Sequence, residues 1–73
     1  MTQTLREYLS EKEETLTGFG RRIGRPPETI RRYVNGRVPQ STEMRLIIVA
    51  TGGAVTPNSW FRAELARFEQ VAA

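Results

Sequence analysis

TLTGFGRRIGRPPETIRRYVNG, residues 15–36, reads as two short helices joined by a tight glycine turn. Leu16, Phe19, Gly20 and Ile23 recur at the i, i+3, i+4, i+7 spacing of one helical face. Gly24 stands where the chain must reverse with a positive φ, which glycine adopts at little steric cost. Pro26 and Pro27 suit the first turn of a second helix, because proline has a fixed φ and no N–H to leave unsatisfied. Ile30, Tyr33 and Val34, with Pro27, form the inward face of that helix. At about 3.6 residues per turn, Glu28, Arg31, Arg32 and Asn35 point the other way. Asn35-Gly36 supplies the stop. A short helix, a glycine turn and a second helix with a polar, arginine-bearing outer face is the build of a helix-turn-helix that reads DNA.

These residues resemble the Cro and phage-repressor class of helix-turn-helix regulators. The pattern of that class is a small residue, three residues, a glycine, then a polar-capped recognition helix ending before Asn/Arg-Gly. Gly20 stands at the small-residue position, Gly24 at the turn glycine, Ile30 and Tyr33 at the buried pair, and Asn35-Gly36 at the helix end. TGGAVTPNSWF at 51–61 is similar to the fourth-to-fifth helix junction of small Cro-like proteins. The resemblance spans residues 4–61 and departs in two places. Arg25 follows the turn glycine where the family has a small apolar residue, and Pro26-Pro27 replaces the Ser-type cap. The resemblance implies an all-α, lambda-repressor-like bundle of five short helices with a central helix-turn-helix. It also implies a transcriptional repressor or Cro-like switch, of phage or prophage type.

Outward from this stretch, Thr4-Leu5-Arg6-Glu7 fits a capping box, and Leu5, Tyr8 and Leu9 make the buried stripe of a first helix running to about Glu14. Thr15 is expected to cap the second helix. Ser41 is expected to cap a fourth, with Glu43 in its first turn on the favourable side of the dipole. Met44, Leu46, Ile47, Ile48, Val49 and Ala50 are apolar nearly all round, which predicts the buried centre of the fold. Gly52-Gly53 ends that helix and lacks the Lys-Ser/Thr of a phosphate loop. Thr56-Pro57 repeats the start signal, and Trp60, Phe61, Leu65, Phe68 and Ala72 follow at helical spacing. Residues 57–73 thus read as a fifth helix whose first turn, with Trp60 and Phe61, closes the core. Its continuation through Leu65 and Phe68 is offered to a dimer partner, to the chain's own first helix, or to a foreign protein.

Seventy-three residues make one domain, 1–73, near the lower limit for folding alone. With no cysteine there is no disulfide or thiolate–metal staple, so the core must come from short, well-packed helices, with self-association expected to help. No apolar run approaches a membrane span and no signal-peptide pattern opens the chain, so a cytoplasmic location on DNA, in a bacterial or phage-infected cell, is expected.

The net charge of +3 is unevenly placed. Residues 1–14 hold Arg6 and Lys12 against four glutamates. Residues 21–45 hold seven arginines against Glu28 and Glu43, and this basic block coincides with the helix-turn-helix. Local positive density is what phosphate binding needs, and arginine suits bidentate phosphate and guanine contacts. The alternative is a solvated arginine surface. Histidine, cysteine and aspartate are absent, which removes His general bases, thiolate nucleophiles and nearly all transition-metal sets. No enzyme, metal or cofactor is expected.

The function these features predict is sequence-specific binding of double-stranded DNA as a homodimer, with helix 27–34 in the major groove. Candidate base-reading residues are Pro27, Glu28, Thr29, Arg31 and Arg32. Arg32 is placed for a bidentate contact to guanine and Glu28 for a cytosine amino group, unless the two pair with each other at i, i+4. Candidate phosphate ligands are Thr17, Arg22, Arg25, Asn35 and Arg37, and candidate dimer contacts are Phe61, Leu65 and Phe68. The rival is a protein-interaction module on the same fold, an antitoxin-like or adaptor protein holding a partner with its C-terminal helix.

Overall fold

A computed structural model describes residues 3–62. Within them lie four α-helices, α1 (Leu5–Glu11), α2 (Leu16–Ile23), α3 (Pro27–Val34) and α4 (Ser41–Ala50), then a 3-10 helix, Pro57–Phe61. No strand occurs among the described residues. No helix among them is long and apolar enough to cross a membrane.

Local chemistry sets most of the boundaries. The Thr4 hydroxyl accepts the Glu7 N–H at 3.1 Å, and the Glu7 carboxylate accepts the Thr4 N–H at 2.8 Å, completing the capping box of α1. α1 ends at Glu11, earlier than the expected Glu14, because Glu13 turns left-handed at φ 54°. The Glu14 N–H then reaches back to the Leu9 carbonyl at 2.9 Å. The Thr15 hydroxyl caps α2 by accepting the Gly18 N–H at 2.9 Å.

The α2–α3 turn depends on two glycines. Gly24 is left-handed at φ 73°, and the N–H groups of Gly24 and Arg25 both donate to the Gly20 carbonyl. A Cβ on Gly20 would run into the backbone oxygen of Arg25 and lie 3.3 Å from the Ile30 side chain. Gly20 is therefore where the turn and α3 pass closest to α2. Pro26 enters α3 in an extended conformation, and no side chain caps that end. Pro27 is exposed rather than inward, since it stands one turn ahead of Ile30, the first α3 residue to reach the core.

Phe19, Ile30, Ile47 and Val55 are fully buried at the centre, surrounded by Leu5, Tyr8, Leu9, Ile23 and Tyr33. Each such aliphatic or aromatic side chain contributes about 1.5–3 kcal/mol by leaving water. α4 is not the buried centre its composition predicts. Met44 and Ile47 are buried, Leu46, Ile48 and Ala50 are half-buried, and Val49 is 75 % exposed. The helix lies on the flank of α2 and hides one stripe, so its far side stays wet. Its N-cap is Gln40, one residue before the expected Ser41, and makes no side-chain cap bond.

The chain after α4 re-enters the core through Thr51. Its buried hydroxyl donates to the Ile47 carbonyl at 2.8 Å and accepts the Val55 N–H at 3.2 Å, which seats Val55. Where a fifth helix is expected from Pro57, the first turn is the 3-10 helix. Trp60 packs against the core and its indole N–H donates to the Tyr33 carbonyl at 2.9 Å. Phe61 points outward, 38 % exposed, and does not help to close the core. Leu65, Phe68 and Ala72 lie outside the described residues.

Candidate nucleic-acid interface

Burial of Ile30 and Tyr33 fixes the rotation of α3, and at helical spacing that turns Glu28 and Arg32 to the opposite side. Both are exposed. They do not pair with each other: the basic neighbour of Glu28 is Arg31 at 3.4 Å, with side chains 66 % and 59 % exposed. An exposed contact of this length contributes little. The Arg32 guanidinium has no hydrogen bond or ion pair with any described residue. Glu28 and Arg32 form the crest of the helix.

A cavity lies on each side of that crest. One, of about 310 Å³, is lined by Arg25, Thr29, Arg37, Gln40 and Glu43 among others. The second, of about 490 Å³, lies between α1, α2 and α3 and takes Arg6, Thr15, Arg31 and Asn35, with Glu14 at its edge. Each holds two arginines and one glutamate.

On the first side, Arg25 makes a two-pronged contact with Glu43, both bonds 2.6 Å. The Arg25 guanidinium holds the Glu43 carboxyl below its ordinary pKa. Burial pushes the Tyr33 phenol up; the Glu43 charge adds to this, and Arg25 and Arg37 oppose it. Arg37 is exposed and Thr29 half-buried at the foot of the crest. On the second side, Asn35 is more than a helix end. Its side-chain oxygen accepts from the Arg6 guanidinium at 3.0 Å, tying the end of α3 to α1. Thr17 is exposed in the first turn of α2, while Thr15 does the capping.

Arg22 lines neither of these two cavities. One guanidinium nitrogen lies 2.6 Å from both Glu14 oxygens, the other donates to the Ala50 carbonyl, and the group sits 5.5 Å from the Phe19 ring centre. It joins the exit of α1, the body of α2 and the end of α4. Arg62 meets Glu7 at 2.6 Å. The Thr4 N–H, and after it Arg62, hold the Glu7 carboxyl below its ordinary value.

The structure therefore brings Glu28, Thr29, Arg31, Arg32, Asn35 and Arg37 to one surface, with Pro27 exposed at the start of the same helix. It engages Arg22 and Arg25 with carboxylates. Of the expected dimer contacts, Phe61 is exposed, and Leu65 and Phe68 fall outside the described residues. Sequence reasoning missed Arg6, which enters from 29 residues away with no local signal. It also missed Glu43 as the partner of Arg25. Among the described residues no three His, Cys, Asp or Glu side chains converge to hold a metal. Compared with known proteins, the chain matches no family model, and no curated protein or solved structure is similar enough to count as a match.

Proposed function

We propose that the chain is a sequence-specific double-stranded DNA-binding regulator of the Cro and phage-repressor kind, a repressor or Cro-like switch acting as a homodimer. In this reading α2 and α3 form the helix-turn-helix, residues 57–73 supply the fifth helix of a lambda-repressor-like bundle, and α3 enters the major groove. The observation that carries it is the unpartnered Arg32 on a convex crest, with a basic cavity on either side. A helix in a groove needs that profile, because a phosphate strand runs along each of its flanks.

Arg32 forks onto guanine O6 and N7, and Glu28 accepts from a cytosine amino group. Pro27, Thr29 and Arg31 border the neighbouring base edges. Thr17, Asn35 and Arg37 take backbone phosphates. Arg22 and Arg25 would have to leave Glu14 and Glu43 to do so, and their larger part is to hold the helix ends that aim the crest. The chemistry is binding alone; no catalytic step is assigned.

Selection of bound sequences from a random duplex pool tests this directly. A two-fold symmetric motif with half-sites about one turn (~10 bp) apart is the expected result. Retention of the pool without enrichment would reduce the chain to a non-specific binder. No retention at low salt would favour the protein-interaction module, to which Phe61 offers one of the exposed apolar side chains among the described residues.

A further inference from the structure

The end of α3 carries a covalent chemistry that binding does not use. The chain has two asparagines, Asn35 and Asn58. Asn35 is followed by Gly36, and glycine is the residue whose backbone nitrogen no side chain shields. Both are exposed, and Gly36 has φ 114°. Its chain neighbours aside, nothing lies within 4 Å of where a Cβ on Gly36 would stand. Cavities of about 490 and 290 Å³ both reach Asn35, and the smaller also reaches Gly36, so water has room at the Asn35 amide. Asn58 is placed differently. It precedes Ser59, which is buried and whose N–H donates to the Thr56 carbonyl at 3.0 Å.

We propose that Asn35-Gly36 is a self-modification site guarded by the fold: when the end of α3 opens, the pair closes to a succinimide and Asn35 ends as an acid. The Gly36 nitrogen gives its proton to solvent base and attacks the side-chain carbonyl carbon of Asn35. The bond from that carbon to the amide nitrogen breaks, and that nitrogen leaves as ammonia. Water then opens the imide at either carbonyl. One opening gives aspartate on an unchanged backbone; the other gives isoaspartate, whose backbone runs through the side-chain carbon. Nothing is oxidised or reduced, and water is the only co-reactant.

The closed helix end resists this reaction. At ψ 6° for Asn35 the Gly36 nitrogen is turned away from the Asn35 side chain, and ring closure needs both on one side. The Gly36 N–H donates to the Tyr33 carbonyl at 3.2 Å and the Arg37 N–H to the Arg32 carbonyl at 3.0 Å, which hold that angle. The Arg6 guanidinium donates to the Asn35 side-chain oxygen at 3.0 Å and pins the amide toward α1. Helix ends open more readily than cores, and the reaction follows the open population. The product sets a negative charge beside Arg6, at the tip of the helix that meets phosphate in the proposed function. That consequence rests on the DNA-binding reading; the modification does not.

The test incubates the chain at mildly alkaline pH, folded and in urea, and follows each asparagine by mass spectrometry of proteolytic fragments. In urea Asn35 should convert ahead of Asn58. In the fold its conversion should be at least about tenfold slower, the protection given by a local opening of modest cost. Arg6→Ala should speed the folded-state conversion about 2- to 10-fold, the scale of one lost hydrogen bond, and leave the rate in urea unchanged. Equal rates folded and in urea overturn the guard, and an inert Asn35 in urea overturns the site. An Arg6→Ala chain that converts no faster removes Arg6 from the guard. If that variant unfolds, the comparison on the unmodified chain still decides. Converted chain, separated by ion exchange, should bind every duplex more weakly than fresh chain. Unchanged affinity overturns the consequence for DNA alone, whereas a fresh chain that binds no duplex overturns the proposed function and leaves the modification standing.

Discussion

Arg22 and Arg32 carry the same charge on adjoining helices and are employed in opposite ways. Arg22 is held by Glu14, the Ala50 carbonyl and the face of Phe19, so its charge is spent inside the molecule. Arg32 stands on an exposed crest with no partner among the described residues. Arg25, forked onto Glu43, belongs with Arg22. A basic block in a sequence thus holds two populations: arginines that build the scaffold and arginines that the scaffold presents. Helix rotation and nearby carboxylates sort them, and both are products of packing.

The largest expected effect breaks the scaffold under both populations. Gly20→Val should destabilise the chain by about 1–3 kcal/mol, since a side chain there meets the Arg25 backbone and Ile30. Urea unfolding measures it, and an unchanged midpoint would mean that α2 and α3 are not in close approach.

Arg22→Ala sharpens the contrast. Losing its bonds to Glu14 and to the α4 terminus should cost about 1 kcal/mol, held low by the 44 % exposure of the side chain. Arg32→Ala should leave the same unfolding curve within about 0.5 kcal/mol. Equal losses for both would erase the distinction between the two populations.

How much of this the amino acids announce depends on range. The Thr4–Glu7 box, the Thr15 cap, the Gly24 turn and the Asn35-Gly36 stop are interactions over a few residues, and they stand in the structure where the pattern puts them. The exposed crest of Glu28 and Arg32 follows from helical spacing once Ile30 and Tyr33 are taken as inward. The pairing of Arg25 with Glu43, 18 residues away, and of Arg6 with Asn35, 29 away, depends on how helices dock. No local signal encodes it. α4 misleads for a related reason: composition reports apolar side chains all round, but only packing decides that Val49 faces water. The exposed Pro27 and the cap at Gln40 are smaller instances of the same limit at helix ends.

Acid titration separates the scaffold pairs further. Glu7 and Glu43 have lowered pKa values in the fold, so their contribution is present above the ordinary carboxylate value of 4.5 and is lost as pH falls below it through the folded-state values. Stability should be flat from neutral pH to about 5 and then drop. In the Glu7→Gln, Glu43→Gln double variant the drop should be shallower. A drop of unchanged depth would assign the acid sensitivity to other carboxylates.

The smallest effect concerns a position neither population uses. Glu13 is a non-glycine residue in the left-handed region, at φ 54°. Glu13→Gly relieves that strain but loosens the unfolded chain, for a net stabilisation of about 0.5 kcal/mol. Thermal unfolding reads the sign, and a destabilisation would show that the Glu13 side chain matters more than its backbone.

The proposed function rests on the contact of Arg32 with base edges. Its most direct test is the affinity of Arg32→Ala for the selected site and for duplexes differing from it by one base pair at a time. Discrimination should vanish at one G·C pair per half-site, a loss of about 1–3 kcal/mol, and persist elsewhere. A uniform loss across all the duplexes would make Arg32 a phosphate contact and contradict the claim.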